Sequence, residues 1–303
     1  MDQGRHCRRP SFKQGTKVMS DNYLALLGTK GGPSVRPGST MPTSSLLCLD
    51  GRLIVVDCGL GVTRGLVDQG MRLESLSLIF ITHLHSDHYL ELGPLIHTAW
   101  TTGLKTPVVI YGPEGLASYW DAFLTSMEAD IVLRIEDEGR KDLRSLVEIR
   151  TMDAGAVHDE PGLSVTAMRV EHPPLVDCFA LRFAAGGREV VMSGDTAYLP
   201  ALADFARGAD LLLHEAMLGS ALPALVARVG TDNDKLMQHL VRSHTTAEDA
   251  ARIAAEAGVG ALALNHLIPS DDPDYTADHW HEAVRPHWSG GFHLGRDGLR
   301  IPL

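Results

Sequence analysis

Cysteine is scarce in this chain. Cys7, Cys48, Cys58 and Cys178 are spread over 303 residues without a CxxC pair, which excludes a disulfide scaffold as the source of stability. They read as buried or free thiols of a reducing compartment, so a cytoplasmic location is expected. No apolar run approaches the roughly 18 to 20 residues of a membrane-spanning helix, so no membrane partner is expected. The first 18 residues carry Arg5, Arg8, Arg9, Lys13 and Lys17 but no apolar middle, which is not the pattern of a secretory signal. They read as a disordered tail, with Met19 a second candidate start. Positive charge is in deficit: the net charge is -11, unlike the broad basic surface of a dedicated nucleic-acid binder. Low-complexity segments, short repeats and a Pro/Gly/Ser linker are also missing, so residues 19–303 are expected to form one domain.

What is present is ordinary globular material, 44% hydrophobic and 21% charged, arranged as strands alternating with helices. Residues 45–49 and 53–57 are apolar runs joined by Asp50-Gly51, a hairpin signal. A short helix is expected over 64–69, a buried strand over 76–82, a helix over 89–101, a strand over 108–111 and a helix over 114–127 with Pro113 near its start. The second half repeats the style. Strands are expected over 163–170, 210–213 and 260–264, and a hairpin joins 179–184 to 189–192 about Gly186-Gly187. Residues 247–257 form an alanine-rich helix stopped by Gly258, with Thr245/Glu248 or Thr246/Asp249 as a capping box. Strand clusters followed by helices in both halves predict an α/β fold, a four-layer αββα sandwich.

The chemistry concentrates in His83-Leu84-His85-Ser86-Asp87-His88. His83 and His85 are two apart at the end of a predicted strand, and strand period two puts both imidazoles on one side, where they can share an ion. Asp87 and His88 lie where the strand turns into a helix and can close a second site beside the first. Four ligand-type residues in six positions would cost stability through desolvation and repulsion unless a cation sat among them. Imidazole with carboxylate suits zinc and its neighbours; manganese and iron(II) suit the same donors.

Thr82 to His88 resembles the signature of the metallo-β-lactamase fold superfamily, and the likeness runs from about Leu24 to the C-terminus. Further motifs follow in order at predicted strand ends: His172 in Val170-Glu171-His172-Pro173-Pro174, Asp195 in Ser193-Gly194-Asp195-Thr196, and His266 in Leu264-Asn265-His266. Asp57, in Val56-Asp57-Cys58-Gly59, resembles the structural acid beneath the metal loop. The resemblance implies that His83, His85 and His172 bind one ion, that Asp87, His88 and His266 bind the other, and that Asp195 bridges them. It implies two Zn2+ a few ångströms apart with a hydroxide between them as nucleophile. The best-known β-lactamases of this fold carry a cysteine where this chain has Asp195, and Cys178 lies elsewhere, so lactam opening is not expected.

Within the superfamily the likeness points to the dinuclear branch of tRNase Z and its arylsulfatase-like relatives. Leu213-His214-Glu215-Ala216 resembles their His-Glu-Ala motif, and Ser243-His244-Thr245-Thr246 their His-Ser-Thr motif. The resemblance brings the two motifs together near the metals and gives His244 a role in proton transfer. Glu215 and His214 either assist it or brace the loop, and Asp87 is an alternative proton carrier. tRNase Z carries a long arm between its third and fourth motifs that grips tRNA. Here residues 173–194 read as one hairpin, leaving no room for it, and the acidic balance agrees. The expected function is therefore hydrolysis of a small-molecule ester: phosphodiester, sulfate ester, or carboxylic ester or lactone. The alternative is a tRNase Z-like endonuclease without the arm, and a third reading is a metal-stabilised protein without catalysis. Residues 217–241 read as an apolar lid, pocket wall or dimer contact, and a homodimer is expected. Of the histidines outside any pattern, His158 is singled out as nearest the site; His239 is not.

Overall fold

The computed structural model describes residues 22–230 and 234–303. The first sheet is built from β1 (Tyr23–Gly28), β2 (Ser44–Leu49), β3 (Arg52–Cys58), β4 (Leu78–Phe80), β5 (Val108–Gly112) and β6 (Val147–Thr151). The second contains β7 (Gly155–Glu160), β8 (Leu163–Arg169), β9 (Phe179–Ala185), β10 (Arg188–Met192), β11 (Leu211–Met217), β12 (Ala261–Ile268) and β13 (Gly291–Leu294). The last strand, β14 (Arg300–Pro302), returns to the first sheet, giving the orders β14-β1-β2-β3-β4-β5-β6 and β13-β12-β11-β10-β9-β8-β7. The helices are α1 (Val62–Asp68), α2 (Ser86–Tyr89), α3 (Leu92–Thr102), α4 (Leu116–Ser126), α5 (Glu128–Glu138), α6 (Ala201–Phe205), α7 (Leu222–Val229), α8 (Lys235–Ser243), α9 (Ala247–Ala257) and α10 (Ala277–Val284).

Each sheet starts as an antiparallel meander and continues with parallel strands, β3 to β6 in one and β10 to β13 in the other. Three apolar layers hold the sandwich. One, with Leu26, Leu47, Phe80, Phe179 and Phe183, fills the space between the sheets. The others seat helices on the outer faces, around Leu66, Ile96 and Trp100 on one side and Ile253, Ala254 and Trp280 on the other. The expected αββα layering is what forms. In the central layer Phe80 stacks on Tyr111 with ring centroids 5.0 Å apart and meets Phe183 edge-on at 5.3 Å. Burying each such ring contributes about 1.5–3 kcal/mol.

Several predicted elements change in extent. The strand expected over 76–82 pairs only at Leu78–Phe80, so His83 and His85 stand on a loop beyond it. The helix expected over 89–101 is broken between α2 and α3. Helix α5 and strands β6 and β7 were not anticipated, because β6 and β7 are largely exposed edge strands with little apolar pattern. The strand expected over 260–264 runs on through His266 to Ile268, and the one over 210–213 runs through Glu215 to Met217. Helix α9 starts from Thr246, whose hydroxyl accepts from the Asp249 N–H; Thr245 instead donates to the Thr196 carbonyl at 2.7 Å. Among the described residues no helix is long and apolar enough to cross a membrane. Cys48, Cys58 and Cys178 are buried free thiols. Cys7 and the tail over 1–18 lie outside the described residues.

Candidate metal centre

The site forms at one edge of the sandwich, where the parallel strands of both sheets end, the usual ligand position in parallel α/β sheets. Strand β3 delivers Asp57, and the loop after β4 delivers His83, His85 and, through α2, Asp87 and His88. The chain beyond β8 brings His172, that beyond β10 brings Asp195, and β12 brings His266. Residues spread over more than two hundred positions meet because every strand end points to the same edge.

Asp195 is the centre. One of its oxygens, Oδ2, lies 3.0 Å from His266 Nε2, 3.3 Å from His88 Nε2, 3.6 Å from His83 Nε2 and 3.9 Å from His172 Nε2. Ligand-type atoms fall into two main groups, His83, His85, His172 and Asp195, and Asp87, His88 and His266, each within 4.8 Å. A third group joins Asp195 and His266 to His244. In the first, His85 Nδ1 stands 3.2 Å from His83 Nε2 and 2.9 Å from His172 Nε2. In the second, Asp87 Oδ2 lies 3.3 Å from His266 Nε2 and accepts from the Gly32 N–H at 3.0 Å.

The outer nitrogens show that these rings are prepared for a cation. His172 donates its Nδ1–H to the Ser243 carbonyl at 2.7 Å, and His88 donates its own to Asp57 Oδ2 at 2.8 Å. The Thr82 hydroxyl gives its proton to Asp57 and receives one from His83 Nδ1 at 3.1 Å. With Nδ1–H engaged, each ring turns an Nε2 lone pair inward, as metal-binding imidazoles do. His88 Nε2 is buried with no hydrogen-bond partner. Lone pairs facing one another at about 3 Å would repel, so the donor set fits a divalent ion in each group.

The charges agree. Burial works to raise Asp195 and Asp87, yet the surrounding imidazoles hold both well below the carboxylate range, Asp195 through His266, His88 and His83 and Asp87 through His88 and His266. Burial disfavours charged His266 and His88 too, but the neighbouring carboxylates pull His266 up to about 10 and carry His88 well above its ordinary value. The pocket thus seeks cations, and without metal protons take that place. His83, His85 and His172 go the other way, held low chiefly by burial.

Backbone strain marks the same edge. Asp57 (φ 60) and His266 (φ 46) adopt the left-handed conformation without being glycine, a local cost that packing has to overcome. Gly194, before Asp195, has φ 58, and a Cβ there would meet the Phe179 carbonyl oxygen at 2.6 Å. Asp57 sits under the loop: its carboxylate takes the Thr82 N–H at 2.8 Å, the Thr82 hydroxyl and the His88 ring. Asp57→Ala is therefore expected to cost about 3 kcal/mol of folding stability, because it orphans three buried donors. Urea unfolding of the metal-free protein checks this, and a loss below about 1 kcal/mol would mean that the donors find other acceptors.

His244 stands beside the centre, with its Nδ1 3.1 Å and 3.2 Å from the two oxygens of Glu215. Glu215 also accepts from the Thr196 N–H at 2.9 Å, which ties it to the Asp195 loop. His214 does not join them. It neighbours Glu215 on β11, so alternation turns it to the opposite face, where it is buried with Nδ1 against the Glu215 carbonyl at 2.6 Å. His158 is also misplaced by the sequence reading: it packs against Tyr111, 3.1 Å from the phenol oxygen, and belongs to neither metal group.

Before the centre lies a cavity of about 330 Å³. Its walls come from the Lys30–Arg36 loop, from Ile268 and Pro269 after β12, and from Leu225, Leu236, His239 and Leu240 of α7 and α8. Buried Lys30 is 3.5 Å from Asp271, and Arg36 and Arg228 reach the same carboxylate at 3.1 Å and 2.9 Å. Arg228 also reaches Asp272 at 3.3 Å, so three cations face two carboxylates and leave this wall one positive charge in surplus, which suits an anionic substrate. The sequence reading missed His239 and this loop. The signal for His239 was helical: Leu236, His239, Leu240 and Ser243 share one face at i, i+3, i+4 and i+7, leading straight into the His244 motif.

A family model described as Anti-Pycsar protein Apyc1 matches residues 23–244. Ribonuclease Z of Mycobacterium marinum (strain ATCC BAA-535 / M) is 30% identical over 283 residues, spanning 92% of this chain and 98% of that protein. The metallo-β-lactamase fold protein YhfI from Bacillus subtilis superposes with TM-score 0.68 at 21% identity, over 93% of this chain and 99% of that one. Zn2+-bound PqqB from Methylobacterium extorquens superposes with TM-score 0.65 at 18% identity, over 93% and 100%.

Proposed function

Because this chain belongs to the metallo-β-lactamase-fold hydrolases, in the family described as Anti-Pycsar protein Apyc1, we propose that it is a ribonuclease Z-type phosphodiesterase holding two divalent ions, zinc by preference. The observation that carries the reading is Asp195 Oδ2, shared by imidazoles of both ligand groups, on a chain that matches relatives named ribonuclease Z over nearly their whole length. Zinc is supported by the imidazole and carboxylate donors and by the zinc-bound PqqB neighbour.

When bound, the ions acidify water and offset charge on the phosphate oxygens. The chain's own groups do the rest. His83, His85 and His172 hold one side, Asp87, His88 and His266 the other, and Asp195 spans them. Water releases one proton to solvent as its oxygen adds to phosphorus, one ester P–O bond breaks, and the leaving oxygen must take a proton. His244, steadied by Glu215, is placed to give it. Lys30 and Arg36 favour entry of the anion.

A second reading within the same chemistry is a small phosphodiester. Residues 173–194 are filled by β9, β10 and the short loop after His172, and α7 and α8 narrow the entrance to a cavity of about 330 Å³. A cytoplasmic location is supported by the buried free cysteines, and a homodimer by the exposed Val229 and Val241 on α7 and α8.

Metal-replete protein should be offered a precursor tRNA, bis(p-nitrophenyl) phosphate, an aryl sulfate, a lactone and a thioester. Turnover is expected only on the phosphorus esters, with tRNA 3′ trimming separating the two readings. Sulfate or lactone hydrolysis exceeding that of every phosphodiester would overturn the proposal.

A further inference from the structure

Among the described residues that line the cavity, His239 is the histidine that joins neither metal group and pairs with no carboxylate. It is half-buried on α8, its ring centroid 6.2 Å from that of His85, 6.1 Å from that of His172 and 5.8 Å from that of His244. A histidine there borders the reacting centre without being part of it.

Its protonation can be read from its neighbour. Ser243 Oγ donates its single proton to the Pro173 carbonyl at 2.8 Å. Towards His239 Nδ1, 3.4 Å away, that oxygen can only accept. Nδ1 therefore carries the hydrogen and Nε2 keeps a lone pair. With its hydrogen on Nδ1 and turned to Ser243, the ring keeps Nε2 as an acceptor rather than a donor to a phosphate oxygen. It can accept from a hydroxyl.

We propose that His239 is a specificity-determining residue, whose Nε2 accepts a hydrogen bond from a hydroxyl on the sugar or alcohol esterified to the phosphate. This rests on the phosphodiesterase reading. It makes helix α8 a sensor of the group next to the reacting bond, while the metal ligands handle the phosphate itself. The geometry also gives Ser243 two tasks: its carbonyl orients His172 and its hydroxyl orients His239.

The test compares wild type, His239→Ala and His239→Gln on a ribodinucleotide, its 2′-deoxy counterpart and bis(p-nitrophenyl) phosphate. One hydrogen bond predicts a wild-type preference for the ribo form of roughly three- to tenfold in kcat/KM. His239→Ala should bring that ratio near one, its largest loss falling on the ribo substrate, and His239→Gln, which keeps an acceptor, should restore part of it. Calorimetric affinity for uridine monophosphate against deoxyuridine monophosphate should follow the same order, with bound metal unchanged. No ribo preference in the wild type, or an equal loss on all three substrates in His239→Ala, would overturn the inference while leaving the phosphodiesterase reading intact. Wild-type protein that hydrolyses none of the three would instead overturn that reading, and the inference with it.

Discussion

Asp195→Ala is expected to lose on the order of a thousandfold or more in kcat/KM and to retain fewer metal ions per chain, as measured by mass spectrometry of the dialysed protein. A single Asp195 oxygen is the nearest carboxylate atom to imidazoles from both groups, at 3.0 Å from His266 and 3.6 Å from His83. Removing it separates two halves that meet through one atom. It also takes away the negative charge that draws His266 and His88 into their cationic range. Asp195→Asn preserves shape and drops the charge, so it should resemble Ala in metal content and wild type in fold. The fold should survive in both, because the apolar layers lie away from this edge. Full turnover by the Ala variant would remove Asp195 from the mechanism.

The next largest effect is expected at His244. If it supplies the leaving-group proton, His244→Ala should slow substrates with alkoxide leaving groups by about a hundredfold to ten-thousandfold. It should slow p-nitrophenyl esters far less, since p-nitrophenolate leaves without a proton. Glu215→Gln should show the same pattern more weakly, because it touches the His244 ring rather than the substrate. Metal content is the control, since His244 also lies near Asp195 and His266. An equal loss on both leaving groups, with metal lost as well, would make His244 a ligand rather than an acid.

Much of the centre was legible because its residues are chemically conspicuous. Four ligand-type side chains in six positions at His83 to His88 have few uses besides binding a cation. His172, Asp195 and His266 were found by likeness and order, and the structure brings all three to the same edge. Strand alternation predicts that His83 and His85 approach each other, but β4 stops at Phe80, and it is the loop that brings them within 3.2 Å. His214 and Glu215 come from one motif, and strand alternation sends them to opposite faces. His158 was preferred to His239 because it lies nearer in sequence to His172. The fold decided otherwise, since α8 lies across the cavity and β7 does not.

The sequence by itself determined the layered α/β class, the family and the identity of the donors, because apolar periodicity and ligand chemistry are local properties of a chain. The tertiary structure decided which ligand-type side chains stand together, which nitrogen of each ring faces inward, and what stands at the cavity wall. Those depend on contacts such as His172 with Ser243 and His88 with Asp57, which are 71 and 31 residues apart. Such distances are set only when two sheets pack and all their strand ends arrive at one edge.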